Sequence, residues 1–327
     1  MKYTVLGGGS WATAIVKILS ENLPEITWYM RNDLAISHIK KYKHNPNYLS
    51  SVELHTNKIH LTSNINEAVA WADYLIFVIP SAFLVSELSK LTVPLKDKVI
   101  FSAIKGIVPE SGLVVGEHLM EAYGINPMNI GVITGPCHAE EVALERLSYI
   151  TVSCKHRARA KQICKLIGTD YIRTIESTDI YGTEYSAILK NIYAVAVGVA
   201  NGLGYGDNFQ AVLTCNAQAE IVRFLHSSYP DTRQTESSAY LGDLLVTCYS
   251  QFSRNRTFGT MIGKGYSVLS AQMEMKMVAE GYYATNGIYQ IIKNNNIDAP
   301  IVQHIYRILY EEKNCEEEFT KLVQKLN

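Results

Sequence analysis

Tyr3-Thr4-Val5-Leu6-Gly7-Gly8-Gly9-Ser10-Trp11-Ala12-Thr13 is the stretch that decides the fold. Four β-prone residues run into three glycines, and a helical pattern follows over residues 13–19. Gly7-x-Gly9-x-x-Ala12 thus sits between a strand and a helix, the setting in which the pattern signals dinucleotide binding rather than an ordinary turn. Gly7 allows the tight turn, and Gly9 lets backbone approach a pyrophosphate at the helix N-terminus. Ala12 permits close helix–strand packing.

Working outward, a second strand is expected over residues 25–30. A site selective for NAD usually carries Asp or Glu there, about 20 residues past the glycines, to hold the ribose 2′-hydroxyl. This chain reads Trp28-Tyr29-Met30-Arg31-Asn32. Arg31 suits a 2′-phosphate, so NADP is favoured over NAD, with a plain surface arginine as the alternative. Further strands are expected over residues 58–61, 74–79, 98–103, 129–133, 148–153 and 171–175. Helices are expected over residues 64–72, with Asn64 as cap, and 157–167. The unbroken apolar run at 74–79 fits a strand covered on both faces of a parallel sheet. The fold class is therefore α/β: a Rossmann-type, doubly wound, mostly parallel sheet over residues 1–180. An all-helical domain is expected over residues 181–327.

In such sheets ligands bind beyond the carboxyl ends of the strands. Pro80-Ser81, Lys105-Gly106 and residues 135–141 (Gly-Pro-Cys-His-Ala-Glu-Glu) fall at those ends. In the helical half, Tyr185, Ile188, Leu189, Ile192, Val195, Ala196 and Val199 keep a helical period. Lys190 and Asn191 lie beside that stripe. Taken alone, Lys190 reads as a lysine snorkelling over apolar surface. Asp243 and Thr247 are four apart and share a helix face. Ser253-Arg254-Asn255 combines a hydroxyl, a guanidinium fork and an amide, a set that suits a phosphate or, equally, a helix-capping loop. Helices are expected from Asp207 or Asn208 to about His226 and from Pro300 onward, and residues 315–327 read as a solvated, charged end.

The totals exclude other classes. A net charge of −1 gives no electrostatic case for nucleic acid or an anionic membrane, so any bound anion needs a local cluster of donors. The six cysteines show no metal-ligand spacing and read as reduced thiols, and no metal site is expected. No segment is long and apolar enough to suggest a membrane span, and the start of the chain reads straight into a strand, so a soluble cytoplasmic protein is expected.

Together these residues resemble the soluble, bacterial type of NAD(P)-dependent glycerol-3-phosphate dehydrogenase. Gly7-x-Gly9-Ser10-Trp11 is similar to that family's opening motif, and Asn45 to Leu49 to its N-x-x-Y-L. Ile79-Pro80-Ser81, Ser102 to Ile107, Gly135 to Glu141, Glu184 to Asn191, Gly242 to Asn255 and Val278 to Gly281 match further motifs in order. The resemblance implies reversible hydride transfer between NAD(P)H and dihydroxyacetone phosphate, giving sn-glycerol 3-phosphate for phospholipid synthesis. It implies Lys190 as catalytic proton donor and acceptor. Lys105, Gly135, Cys137, Asn191, Asp243, Thr247, Ser253, Arg254 and Asn255 would join Lys190 in binding substrate, with Arg254 and Asn255 on its phosphate. Gly7, Gly9, Ser10, Trp11, Arg31, Lys105, Ala139, Arg254, Val278 and Glu280 would bind the coenzyme, NADP or NAD with NADPH preferred. A small-molecule substrate and a homodimer, with no nucleic acid and no membrane insertion, are also implied.

The chain departs from the family pattern at Cys137-His138, at Thr214-Cys215-Asn216, at Ala12 and at Ile104. The chemistry is consistent with the residues: a carbonyl receiving hydride develops negative charge on oxygen, which a positioned ammonium stabilises and protonates. A ketopantoate- or 6-phosphogluconate-type dehydrogenase shares this architecture but not the Ser253-Arg254-Asn255 cluster. A sensor that has lost catalysis would not need both Lys105 and Lys190.

Overall fold

The structure is a computed structural model that describes residues 1–275 and 279–327. Val278, expected at the coenzyme, lies outside the described residues. The chain divides into two compact units, one of Met1–Ile104 with Leu113–Ile180, the other of Lys105–Gly112 with Tyr181–Asn327.

The first unit holds eight strands: β1 (Tyr3–Leu6), β2 (Ile26–Tyr29), β3 (Ile59–Thr62), β4 (Tyr74–Phe77), β5 (Val99–Ser102), β6 (Ile130–Thr134), β7 (Ser148–Cys154) and β8 (Ile172–Ser177). They form one sheet in the order β3-β2-β1-β4-β5-β6-β7-β8. All neighbours are parallel except β6 and β7, which run antiparallel. The chain order reverses between β1 and β4, which is the switch point of a doubly wound sheet. The helices are α1 (Ser10–Asn22), α2 (Asp33–Tyr42), α3 (Ile65–Trp71), α4 (Ser81–Leu88), α5 (Val115–Tyr123), α6 (Ala139–Ala143) and α7 (Arg157–Ile167). Every residue of β4, Tyr-Leu-Ile-Phe, is buried, as its unbroken apolar run requires of a covered strand. Asn64 caps α3 as expected, accepting from the N–H groups of Asn66 and Glu67. Helix α2 was not anticipated: Asn32 starts it by accepting from Ala35 N–H, and Lys43 ends it in the left-handed region.

The second unit is built from α8 (Ile180–Gly202), α9 (Asp207–Ser228), α10 (Asp243–Tyr249), α11 (Arg254–Gly263), α12 (Val268–Glu274), α13 (Glu280–Asn294), α14 (Pro300–Tyr310) and α15 (Cys315–Val323). Residues 182–200 of α8 are buried without interruption, so this helix is covered on every side and central to its unit. Helix α11 meets it at glycines. A Cβ on Gly198 or Gly202 would lie 2.2 or 2.5 Å from a carbonyl oxygen of α11, and one on Gly259 or Gly263 would lie 2.1 or 2.4 Å from a carbonyl oxygen of α8. The two backbones are in direct contact.

Two further details differ from the sequence reading. Helix α9 is capped by Gly206, and Asp207 lies inside its first turn. Residues 315–327 are not a solvated end: Phe319 and Leu322 are fully buried, and Glu318 binds His304 and Lys321. Helix α14 starts against a buried carboxylate, since Glu220 of α9 accepts the N–H groups of Ile301 and Val302, each at 3.0 Å. This satisfies two of the donors that a helix leaves open at its start.

Candidate active site

Lys190, Asn191, Asp243, Thr247, Asn255 and Lys105 converge in the second unit. Lys190 lies on the central helix α8 and is 4% exposed, which excludes the snorkelling reading. Its Nζ donates to Asp243 Oδ1, from the first residue of α10. Lys105 Nζ lies 4.0 Å from the other oxygen of the same carboxylate, Oδ2. Among the described residues, no hydrogen-bond donor reaches that oxygen. One buried carboxylate therefore faces two ammonium groups and keeps an acceptor open. Thr247 Oγ1 donates to Asp243 O at 2.6 Å, so its proton is used within α10. Beneath this group Cys248 is fully buried, and burial pushes its thiol up to about 12. It remains protonated beside Lys190 and adds no charge.

The two asparagines belong to a relay. Asn191 Nδ2 donates to Lys105 O at 3.0 Å, Asn255 Nδ2 donates to Asn191 Oδ1 at 2.9 Å, and Gly281 N donates to Asn255 Oδ1 at 2.9 Å. Each amide oxygen is used by protein, while each Nδ2 keeps a second hydrogen. The family resemblance implies these asparagines as substrate ligands; in the structure they fix the Lys105 backbone and the start of α13, which Glu280 opens. Ser253 caps α11, its Oγ accepting from Arg256 N–H at 3.3 Å. Arg254, the first residue of α11, is exposed. The capping and phosphate alternatives for residues 253–255 are thus compatible: Ser253 supplies the cap, and Arg254 projects from a helix N-terminus.

In the first unit Gly7, Gly9, Ser10 and Trp11 surround the turn from β1 into α1. Gly7 has φ +133°, and a Cβ there would lie 2.6 Å from Val78 O, just past β4. Both its backbone angle and its neighbour demand glycine. A Cβ on Gly9 would meet nothing within 4 Å, and no side chain caps α1. The loop therefore offers an open cradle against an uncapped helix N-terminus, a donor set that fits a pyrophosphate. Arg31, past the end of β2, has its guanidinium over the Phe83 ring at 5.5 Å and 3.9 Å from Glu87. Burial works against ionisation of Glu87, but hydrogen bonds from Lys90 and Tyr29 hold its carboxyl below the usual range. Phe83 and Glu87 were missed because nothing in their local sequence marks them.

Gly135, Cys137 and Ala139 follow β6, also in the first unit. Gly135 has φ +112°, and a Cβ would lie 2.7 Å from Tyr149 O, so β7 alone explains the glycine. Cys137 is buried and donates its Sγ–H to Gly135 O at 3.1 Å. Ala139 begins the short α6. Among the described residues no group of three or more His, Cys, Asp or Glu is placed to hold a metal ion. Among the same residues no helix is long and apolar enough to cross a membrane.

Comparison with known proteins identifies the family. Residues 2–160 match the profile of the NAD-dependent glycerol-3-phosphate dehydrogenase N-terminus, and residues 179–320 match that of the C-terminus. The glycerol-3-phosphate dehydrogenase [NAD(P)+] of Staphylococcus carnosus (strain TM300) is 34% identical over 326 residues, covering 98% of this chain and 97% of its own. That of Staphylococcus aureus (strain USA300 / TCH1516) is 35% identical over 328 residues, with 99% and 98% covered. The fold matches the crystal structure of glycerol-3-phosphate dehydrogenase from Coxiella burnetii with a TM-score of 0.90, at 23% identity and 98% coverage of both chains. Sequence identity of this extent, sustained from end to end, places the chain in the NAD-dependent glycerol-3-phosphate dehydrogenase family.

Proposed function

We propose that the chain catalyses reversible, NAD(P)H-linked reduction of dihydroxyacetone phosphate to sn-glycerol 3-phosphate, the reaction that supplies phospholipid synthesis. The observation that carries this reading is the buried Lys190–Asp243 pair with the half-buried Lys105 beside it. Burying such charges is a poor way to stabilise a fold, since well-packed apolar residues of similar volume do as well or better.

A bound nicotinamide coenzyme supplies or accepts the hydride. Lys190 Nζ donates a proton to the carbonyl oxygen as negative charge grows there, and removes it in the reverse direction. Lys105 adds positive charge at the developing oxyanion. Asp243 orients Lys190 through Oδ1, and its Oδ2 accepts a substrate hydroxyl. The second Nδ2 hydrogens of Asn191 and Asn255 and the Thr247 oxygen complete the polar wall, with Gly135 and Cys137 as further substrate contacts. Arg254 holds the phosphate, supported by Ser253 and the N-terminal turns of α11. Gly7, Gly9, Ser10 and Trp11 receive the pyrophosphate. Ala139, Glu280, Lys105 and Arg254 contact the rest of the coenzyme, and Arg31 favours NADPH through its 2′-phosphate. The family likeness supports a cytoplasmic homodimer, which light scattering would report as twice the chain mass.

Purified protein should oxidise NADPH when dihydroxyacetone phosphate is added, followed by nicotinamide absorbance. Lys190→Ala should lower kcat by about 10²–10⁴-fold. Undiminished turnover in that variant would remove Lys190 from the mechanism, and coenzyme binding without any oxidation would remove the reaction.

A further inference from the structure

The glycine turn after β1 is held in a way that its motif does not specify. Each of its three carbonyls is fastened by a donor from the protein. Trp28 Nε1–H donates to Gly7 O at 2.6 Å, and Asn45 Nδ2 donates to Gly8 O at 3.3 Å. Gly9 O accepts both Thr13 N–H at 2.9 Å and Thr13 Oγ1–H at 3.0 Å. The last two side chains are themselves linked, because Asn45 Nδ2 also donates to Thr13 Oγ1 at 2.9 Å. Asn45 Oδ1 accepts Asn47 N–H at 3.0 Å, so the amide can face the loop only with its nitrogen. Trp28, Thr13 and Asn45 are buried, at 0%, 0% and 1% exposure.

In a trans peptide the C=O of one residue and the N–H of the next point in opposite directions. No peptide bond among the described residues is cis. Fixing the carbonyls of Gly7, Gly8 and Gly9 toward the protein therefore turns the N–H groups of Gly8, Gly9 and Ser10 toward the open cradle. Among the described residues no backbone acceptor takes the N–H of Gly8 or Gly9. Successive N–H groups aimed at one point form an anion-binding nest. A glycine turn without these ties would be free to rotate its peptides, because glycine tolerates either hand of backbone.

We propose that Trp28, Asn45 and Thr13 are positioning residues for the coenzyme pyrophosphate, acting by fixing the peptide planes of Gly7, Gly8 and Gly9. The proposal rests on the coenzyme reading above. It separates these three from residues that merely pack, because their hydrogen bonds end on the carbonyls of the nest itself.

Thr13→Val keeps shape and removes the hydroxyl, whereas Thr13→Ser keeps the hydroxyl and removes a methyl. Binding to the unloaded protein, by calorimetry, would be compared for ADP-ribose, which carries the pyrophosphate, and 2′-AMP, which does not. Thr13→Val and Asn45→Ala should bind ADP-ribose about tenfold more weakly than the wild type while 2′-AMP changes by less than about twofold, and Thr13→Ser should restore ADP-ribose binding. Trp28→Phe should follow the same pattern. Equal loss for both ligands would show a general packing role and overturn the proposal, as would wild-type ADP-ribose affinity in Thr13→Val. If wild-type protein binds neither ADP-ribose nor NADPH, the coenzyme reading itself fails, an outcome distinct from either.

Discussion

Replacing Gly259 by alanine tests whether the active site depends on how closely α11 approaches α8. The added Cβ would lie 2.1 Å from Val195 O and 2.9 Å from Val195 C, against the 3.4 Å where ordinary contact begins. Both obstructing atoms are backbone of a buried central helix, so no side chain can rotate away. The helices must part locally by about 1 Å or shift along each other, an overpacking that costs about 1–3 kcal/mol. Alanine in place of glycine inside a helix returns about 1 kcal/mol, leaving a net loss of about 0–2 kcal/mol. At about 2–4 °C per kcal/mol, the melting temperature should fall by only a few degrees. Activity should fall much further. Arg254 and Asn255 are carried on α11 and Lys190 on α8, and about 1 Å of misplacement can cost about 100-fold. The expected outcome is kcat/KM for dihydroxyacetone phosphate down by about 100-fold in a protein that still melts cooperatively. Gly206→Ala is the control: a Cβ there meets nothing within 4 Å, and both quantities should stay near wild type. Wild-type kcat/KM in Gly259→Ala would refute the reasoning, whatever its melting temperature.

Glu220 provides a test in pH. Complete burial pushes its carboxyl up from 4.5 to about 7, although two N–H groups of α14 and the nearby Arg223 favour the charged form. Between those values the folded chain holds a proton that the unfolded chain has lost, so this group makes stability decline as pH rises from 4.5 to about 7 and has no further effect above. In Glu220→Gln that decline should be smaller across the same range; an unchanged melting-temperature profile would contradict it. Arg31→Ala should weaken NADPH about tenfold and NADH little, and equal losses for the two coenzymes would remove Arg31 from 2′-phosphate recognition.

What the sequence disclosed follows from the range of each interaction. Strand β4 and helix α7 were legible because their signals are local: an apolar run and a 3.6-residue period. Helix α15 was missed because Phe319 and Leu322 stand among charged residues and are buried only through packing in the second unit. Motifs singled out Lys190 and Asp243, but gave no sign of the relay through Asn191 and Asn255. It joins positions 105, 191, 255 and 281, and no local pattern foretells which amide hydrogen faces which carbonyl. The paired spacings Gly198/Gly202 and Gly259/Gly263 were visible as spacings, yet only the structure shows that they oppose each other. Trp28 and Asn45 were likewise present in the expected strand and motif without any sign that they serve the glycine loop.

Lys105–Gly112 belongs by its contacts to the second unit, although the rest of that unit begins at Tyr181. During synthesis these eight residues leave the ribosome well before the helices that receive them. Their partners come later: Asn191 for the Lys105 carbonyl, and Gly287, whose Cα faces Ile107 closely enough that a Cβ would lie 2.8 Å from it. The helical unit cannot finish folding co-translationally from its own continuous stretch, and a fragment beginning at residue 181 would lack a lysine of the site and a piece of its core. Genetic splitting or domain exchange at residue 180 would therefore separate Lys105 from its own unit, whereas a graft that carries residues 105–112 along with 181–327 keeps the unit whole.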